Sequence, residues 1–189
     1  MESPILGGIF SFVTEGIIVF DVEGKILQLN THASLLIDET SVELVGKSID
    51  DVLNLTFDGA PLKPEEKVTS VIFQKKEVFV TPHGKTAFIT SSSGQVIPVF
   101  ISSRSIIISG ALMGILVFRD ITTEKELAKY KENTAKRLSA LTPFLQKTST
   151  GDLSTTFLLP EKEDEFTELF VGLKLMVDDL REVEASRDR

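Results

Sequence analysis

Between Gly114 and Tyr130 the chain reads GILVFRDITTEKELAKY, and it passes from a strand pattern to a helix pattern with no linker between them. Gly114 to Phe118 is apolar and β-branched or aromatic, which predicts a largely buried strand. Thr123, followed three residues later by Glu126, has the form of a capping box. In such a box each side chain satisfies a backbone N–H that a helix start leaves unpaired. A helix is therefore expected from about Thr123. No Gly or Ser tract separates the two elements, so whatever precedes Asp120 must build a sheet, and whatever follows Thr123 must give a helix something to pack on.

The residues before the junction supply that sheet. GIIVFD (Gly16 to Asp21) reads as a buried strand, and KILQL (Lys25 to Leu29) alternates at period two. Asp21 to Gly24 is then a tight turn, with Gly24 able to take a positive φ. Asn30 precedes THASLLI and is placed to cap a short helix. Further short helices are expected from Ser41 to Val45, stopped by Gly46, and from Ser48 to Leu53. Pro64 to Lys76 opens with proline and two acids, as a first helical turn does. Phe79 and Val80 suggest a short extended piece. Three strands follow, Thr86 to Ser91, Val96 to Ile108 and Leu112 to Arg119, with turns at Gly94 and at Ser109-Gly110. Pro98 lacks an N–H for the ladder and points to an edge or a bulge. Hairpins at both ends with helices between them describe an α+β fold with one five-stranded antiparallel sheet.

After the junction the spacing is that of a coiled coil. Phe166, Leu169, Leu173, Met176, Leu180 and Val183 are 3, 4, 3, 4 and 3 residues apart, an a/d seam that a lone helix cannot bury. Leu127, Tyr130, Thr134, Leu138, Leu141, Leu145 and Thr148 offer a partner stripe, interrupted by two successive spacings of four that resemble a stutter. Pro143 after Thr142 marks either a fresh helix start or a kink in one long helix.

Composition removes several function classes. The 189 residues carry a net charge of -8 with no basic cluster, which argues against nucleic acid as the partner. Cysteine is absent, so disulfides, zinc-thiolate sites and cysteine nucleophiles are excluded, and a cytoplasmic location is expected. The apolar run Ala111 to Phe118 is far shorter than the roughly 20 residues a spanning helix needs, so no membrane segment is expected in this chain. The N-terminus lacks the basic region of a signal peptide, and the ending REVEASRDR reads as a helix cut in mid-course.

Two resemblances follow from these residues. Ile5 to Thr122 resembles a PAS domain: Asp21, Gly24, Ile26, Asn30 and Ala33 match its hairpin and first helix. GQVIPVFISSRSI and GILVFRDIT, ending in Asp120-Ile121-Thr122, match its closing strands. GDLSTTF and DEFTELFVGLKLMVDDL resemble a HAMP domain, a parallel four-helix bundle to which each chain of a dimer gives two helices. Gly151, Leu153 and Phe157 match its connector, and Asp164-Glu165 the start of its second helix. The resemblance implies a PAS sensor domain at 1–122, a signalling helix at 123–137 and a HAMP-like helix-connector-helix at 138–189. It further implies a parallel homodimer and a place in signal transduction upstream of an output that is a histidine kinase, as in two-component systems, a cyclase-type enzyme or a chemoreceptor tail. Signal coupling is assigned to Asp120, Ile121, Thr122, Thr123 and Glu126, and the dimer seam to Phe166, Leu169, Leu173, Met176, Leu180 and Val183.

Ordinary structural roles compete with these assignments. Asp120 near a helix start is also simple dipole complementarity. Phe88, Phe100, Ile106, Leu116 and Phe118 either line a small-molecule pocket or form plain core. His32 and His83, in NTHAS and TPHG, are weak heme ligands, a cysteinyl-flavin is excluded, and the cofactor stays open. No catalytic motif is present, so the chain is not expected to be an enzyme. The alternatives are a ligand-free PAS dimerisation module and, more remotely, a small α+β enzyme.

Overall fold

The computed structural model describes residues 8, 10–153 and 166–187. Phe157, Asp164 and Glu165 of the expected connector lie outside them. Contacts divide the chain into two compact units, Met1–Glu126 and Leu127–Arg189.

The first unit is built on one antiparallel sheet. Its strands are β1 (Gly16–Phe20), β2 (Ile26–Leu29), β3 (Thr56–Phe57), β4 (Ala60–Pro61), β5 (Phe79–Val80), β6 (Ala87–Thr90), β7 (Val96–Ile108) and β8 (Ala111–Asp120). The order is β2-β1-β8-β7-β6-β3-β4, with β5 paired to β7. The sheet thus has eight strands where five were expected. The correction concerns β3, β4 and β5, each of two residues, too short to display a period of two. Three helices lie between β2 and β3: α1 (Thr31–Ile37), α2 (Ser41–Leu44) and α3 (Ile49–Leu53). Asn30 caps α1, its Oδ1 accepting from Ala33 N at 2.9 Å. The same oxygen accepts from Ile17 N, and Asn30 Nδ2 donates to the Glu15 carbonyl. One buried side chain therefore fixes the helix start against β1. The stretch expected as a helix from Pro64 to Lys76 is a 3-10 turn at Pro64–Glu66 and a π-helix at Ser70–Gln74.

One face of the sheet is the core. Ile18, Phe20, Val99, Ile101, Leu116 and Phe118 are each at most 1% exposed, and Ile26, Leu44, Ile49, Leu53 and Ile72 close over them. The β1–β8 ladder shows how the middle of this core is filled. Gly16 pairs with Phe118 and Phe20 pairs with Gly114. A Cβ on Gly16 would come within 2.5 Å of the Phe118 ring, and one on Gly114 within 2.3 Å of the Phe20 ring. Each ring lies over the glycine opposite it, and Ile72 comes down beside Gly114.

Two further helices follow β8: α4 (Thr122–Ser149) and α5 (Thr167–Arg187). Pro143 lies inside α4, which runs on as one helix. Neither helix is long and apolar enough to cross a membrane, nor is any other among the described residues.

Candidate functional site

The junction between β8 and α4 is where the sequence placed signal coupling. α4 starts at Thr122, one residue before the expected capping box, and the Asp120 side chain, two residues ahead, bonds its first residue. Asp120 Oδ1 accepts from Thr122 N at 2.7 Å and from the Thr122 hydroxyl at 2.5 Å. Thr123 and Glu126 are exposed. Ile121 N donates to the Pro98 carbonyl at 3.0 Å, while the Ile121 carbonyl accepts from Lys125 N at 3.0 Å. One residue is therefore the last rung of the sheet through its N–H and the first rung of the helix through its C=O.

Pro98 makes this change possible. In a strand a residue's N–H and C=O point to the same side, and the Pro98 carbonyl faces Ile121. The N–H that proline lacks would have claimed the Ile121 carbonyl for the ladder. Pro98 was expected at an edge or bulge; it pairs with Phe88 of β6 on one side, and on the other it lies one residue beyond the β7–β8 ladder, which ends at Val99 and Asp120.

Side chains add further ties. Lys125 Nζ donates to Thr86 Oγ1 at 2.6 Å, beside the start of β6. Arg119 Nη1 pairs with Glu124 Oε1 at 2.7 Å, and its guanidinium lies 5.9 Å from the centre of the Phe100 ring. Sequence reasoning missed Thr86, Pro98, Arg119 and Lys125. Of these, only Pro98 carried a signal, since a proline inside a strand demands an explanation.

The connector begins as a Schellman end. Gly151 has φ +85°, Gly151 N donates to the Thr148 carbonyl and Asp152 N to the Lys147 carbonyl. These bonds satisfy two orphan carbonyls of α4 and require the left-handed conformation glycine adopts freely. Leu153 follows, half-buried.

Among the described residues of Leu127–Arg189 the buried apolar ones are Leu141 and Phe144 on α4 and Phe170 and Val177 on α5. The residues expected as the dimer seam lie beside this packed row. Phe166 and Leu173 are half-buried, whereas Leu169, Met176, Leu180 and Val183 are exposed. On α4, Leu127, Tyr130, Leu138 and Leu145 are exposed as well. Each helix thus carries two adjoining apolar stripes, one buried within the chain and one open.

The remaining candidates fall apart in space. Leu116 and Phe118 face the core, but Phe88, Phe100 and Ile106 alternate onto the opposite face of the sheet. His83 is exposed on its turn and His32 is half-buried on α1. Among the described residues no group of His, Cys, Asp and Glu could hold a metal ion. Two clefts, of about 280 and 490 Å³, open on either side of Asn54 and Asp51, with polar residues in their walls. In the second wall Glu39 receives bonds from Lys47 Nζ and Ser92 Oγ. These bonds, that from Lys47 first, hold the Glu39 carboxyl below its ordinary value.

No protein-family model and no curated protein matches the sequence. Among solved structures the chain is similar to the PAS domain of nitrogen regulation protein NR(II) from Vibrio parahaemolyticus. That match has 14% identity and TM-score 0.50 over 63% of this chain and 100% of that one. It is also similar to an RNA-binding light-oxygen-voltage receptor, at 16% identity and TM-score 0.50, over 72% of this chain and 38% of that one. At such identities the likeness is one of fold: the sheet with its flanking helices is PAS-like.

Proposed function

We propose that this chain is the sensory and signal-relay module of a cytoplasmic signalling protein. Its PAS-like sheet is the input, α4 carries the output, and α4 with α5 forms the half of a dimeric HAMP-like bundle contributed by one chain. The protein it serves is of the two-component kind, with a histidine kinase as its effector. The observation that carries this reading is the junction, where Ile121 belongs to sheet and helix at once and Pro98, Asp120 and Lys125 tie the first turn of α4 down. A strand shift that moves the Pro98 carbonyl moves the helix start with it, with no slack segment to absorb the change. The open apolar stripes on α4 and α5 support the dimer, because each adjoins a buried stripe and exposes residues of the size that coiled coils bury.

A second reading is favoured by one observation. Phe20, Phe118 and Ile72 occupy the space over Gly16 and Gly114 where a small ligand would sit. In that reading the PAS-like core senses nothing by itself and the module serves dimerisation.

Light scattering on the native chain and on a Met176→Glu/Leu180→Glu variant tests the relay. Both side chains are 43% exposed, against 8% for Phe170 and 2% for Val177 of the packed row, and circular dichroism checks that the variant keeps its helices. The expected result is a native dimer and a folded monomeric variant. A monomeric native chain at micromolar concentration would overturn the bundle.

A further inference from the structure

Past the Schellman end of α4, the Leu153 carbonyl accepts a hydrogen bond from Arg181 Nε of α5 at 2.6 Å. The same guanidinium is steadied by Asp178, whose Oδ1 lies 3.0 Å from Nη1. The Arg181 side chain is 34% exposed, and its bond to Leu153 is part-buried.

The apolar contacts do not select a register by themselves. Burial is non-directional, and apolar residues recur about one turn apart along the packed side of each helix, at Leu141 and Phe144 and at Phe170, Leu173 and Val177. If α5 slid by one turn, about 5.4 Å, new apolar pairs would replace the old ones. A charge-assisted bond to one backbone carbonyl has no such substitute: the slide leaves Leu153 O without its donor. A single polar group fixes register among interchangeable apolar layers in the same way in coiled coils.

We infer that Arg181 is a latch that fixes the axial register of α5 against the end of α4, so that the two helices move as one body. This rests on the relay reading and specifies how a displacement arriving along α4 reaches α5. Arg181 is a positioning residue, acting through the Leu153 backbone.

The chain has no cysteine, so spin labels can be placed at Lys147→Cys and Glu184→Cys, both exposed positions. The label-to-label distance is then measured by pulsed electron resonance, with labelled chain diluted in unlabelled chain to isolate the intrachain distance. The latch predicts one narrow distance in the native background. Arg181→Ala broadens or splits it on the scale of one turn, and Arg181→Lys, which keeps a cationic donor, narrows it again. A distribution in Arg181→Ala that superimposes on the native one overturns the latch. If Arg181→Ala loses helix content by circular dichroism, Arg181→Met, which keeps a helix-forming stem without a donor, decides: a broadened distance supports the latch and an unchanged one overturns it. A narrow distance that widens as predicted in a monomeric chain keeps the latch and defeats the dimer. A dimer indifferent to Arg181 does the reverse.

Discussion

Gly114 shows how much one side chain decides in this fold. It needs no positive φ; it is a glycine because the Phe20 ring and Ile72 occupy the place of its Cβ. Gly114→Ala forces the ring off its rotamer or the strands apart, an overpacking cost of about 1–3 kcal/mol. Urea unfolding of Gly114→Ala, Phe20→Leu and the double variant measures this, and the double variant is expected to be more stable than the sum of the single changes predicts. Additive losses would show that the ring does not rest on Gly114. The strand was legible in GILVF from β-branching alone, but the reason for its glycine was not. Cross-strand partners follow from register, which a single chain of letters does not specify before the turns and pairings are known. Asn30 is the opposite case, since a capping residue acts on amides within its own next turn.

At the scale of elements, local signals were read well and packed ones poorly. The cap of α1, the Asp21–Gly24 turn and the bounds of β7 all depend on neighbours in sequence. The π-helix at Ser70–Gln74 depends on burying Ile72 over Gly114, and the two-residue strands exist only as pairing partners, so neither leaves a periodic trace. α4 starts at Thr122, within one residue of the expected start, with Asp120 bonded to that first residue. One contact between elements gives a pH test. Glu39, at the end of α1, joins Lys47 to Ser92 in the β6–β7 turn, and its carboxyl titrates below the ordinary 4.5. A depressed carboxylate contributes stability above its unfolded value, and loses it as pH falls through the folded one. The melting temperature of Glu39→Gln is thus expected below native at neutral pH, with the gap closing at acid pH below 4.5. Because Glu39 is exposed the gap is small, and a gap that stays constant with pH would assign the loss to something other than charge.

For the whole molecule, the sequence order of sheet, junction and seam was enough to anticipate a PAS-like unit followed by long helices. It did not say which apolar stripe of each helix the chain covers itself. Leu169 and Phe170, or Met176 and Val177, differ by one position and are equally apolar, so only packing distinguishes them. The account depends most on the claim that sheet and output helix form one cooperative structure at Ile121. Native-state hydrogen exchange of the Lys125 amide, which donates to the Ile121 carbonyl, tests that claim when compared with the amides of Leu116 to Phe118 in β8. If the junction belongs to the sheet, Lys125 exchanges with the same opening free energy as the strand and shares its denaturant dependence, and both fall together in Asp120→Ala. If Lys125 exchanges like a frayed helix end while the strand stays protected, the helix start is loose and the relay has no mechanical basis.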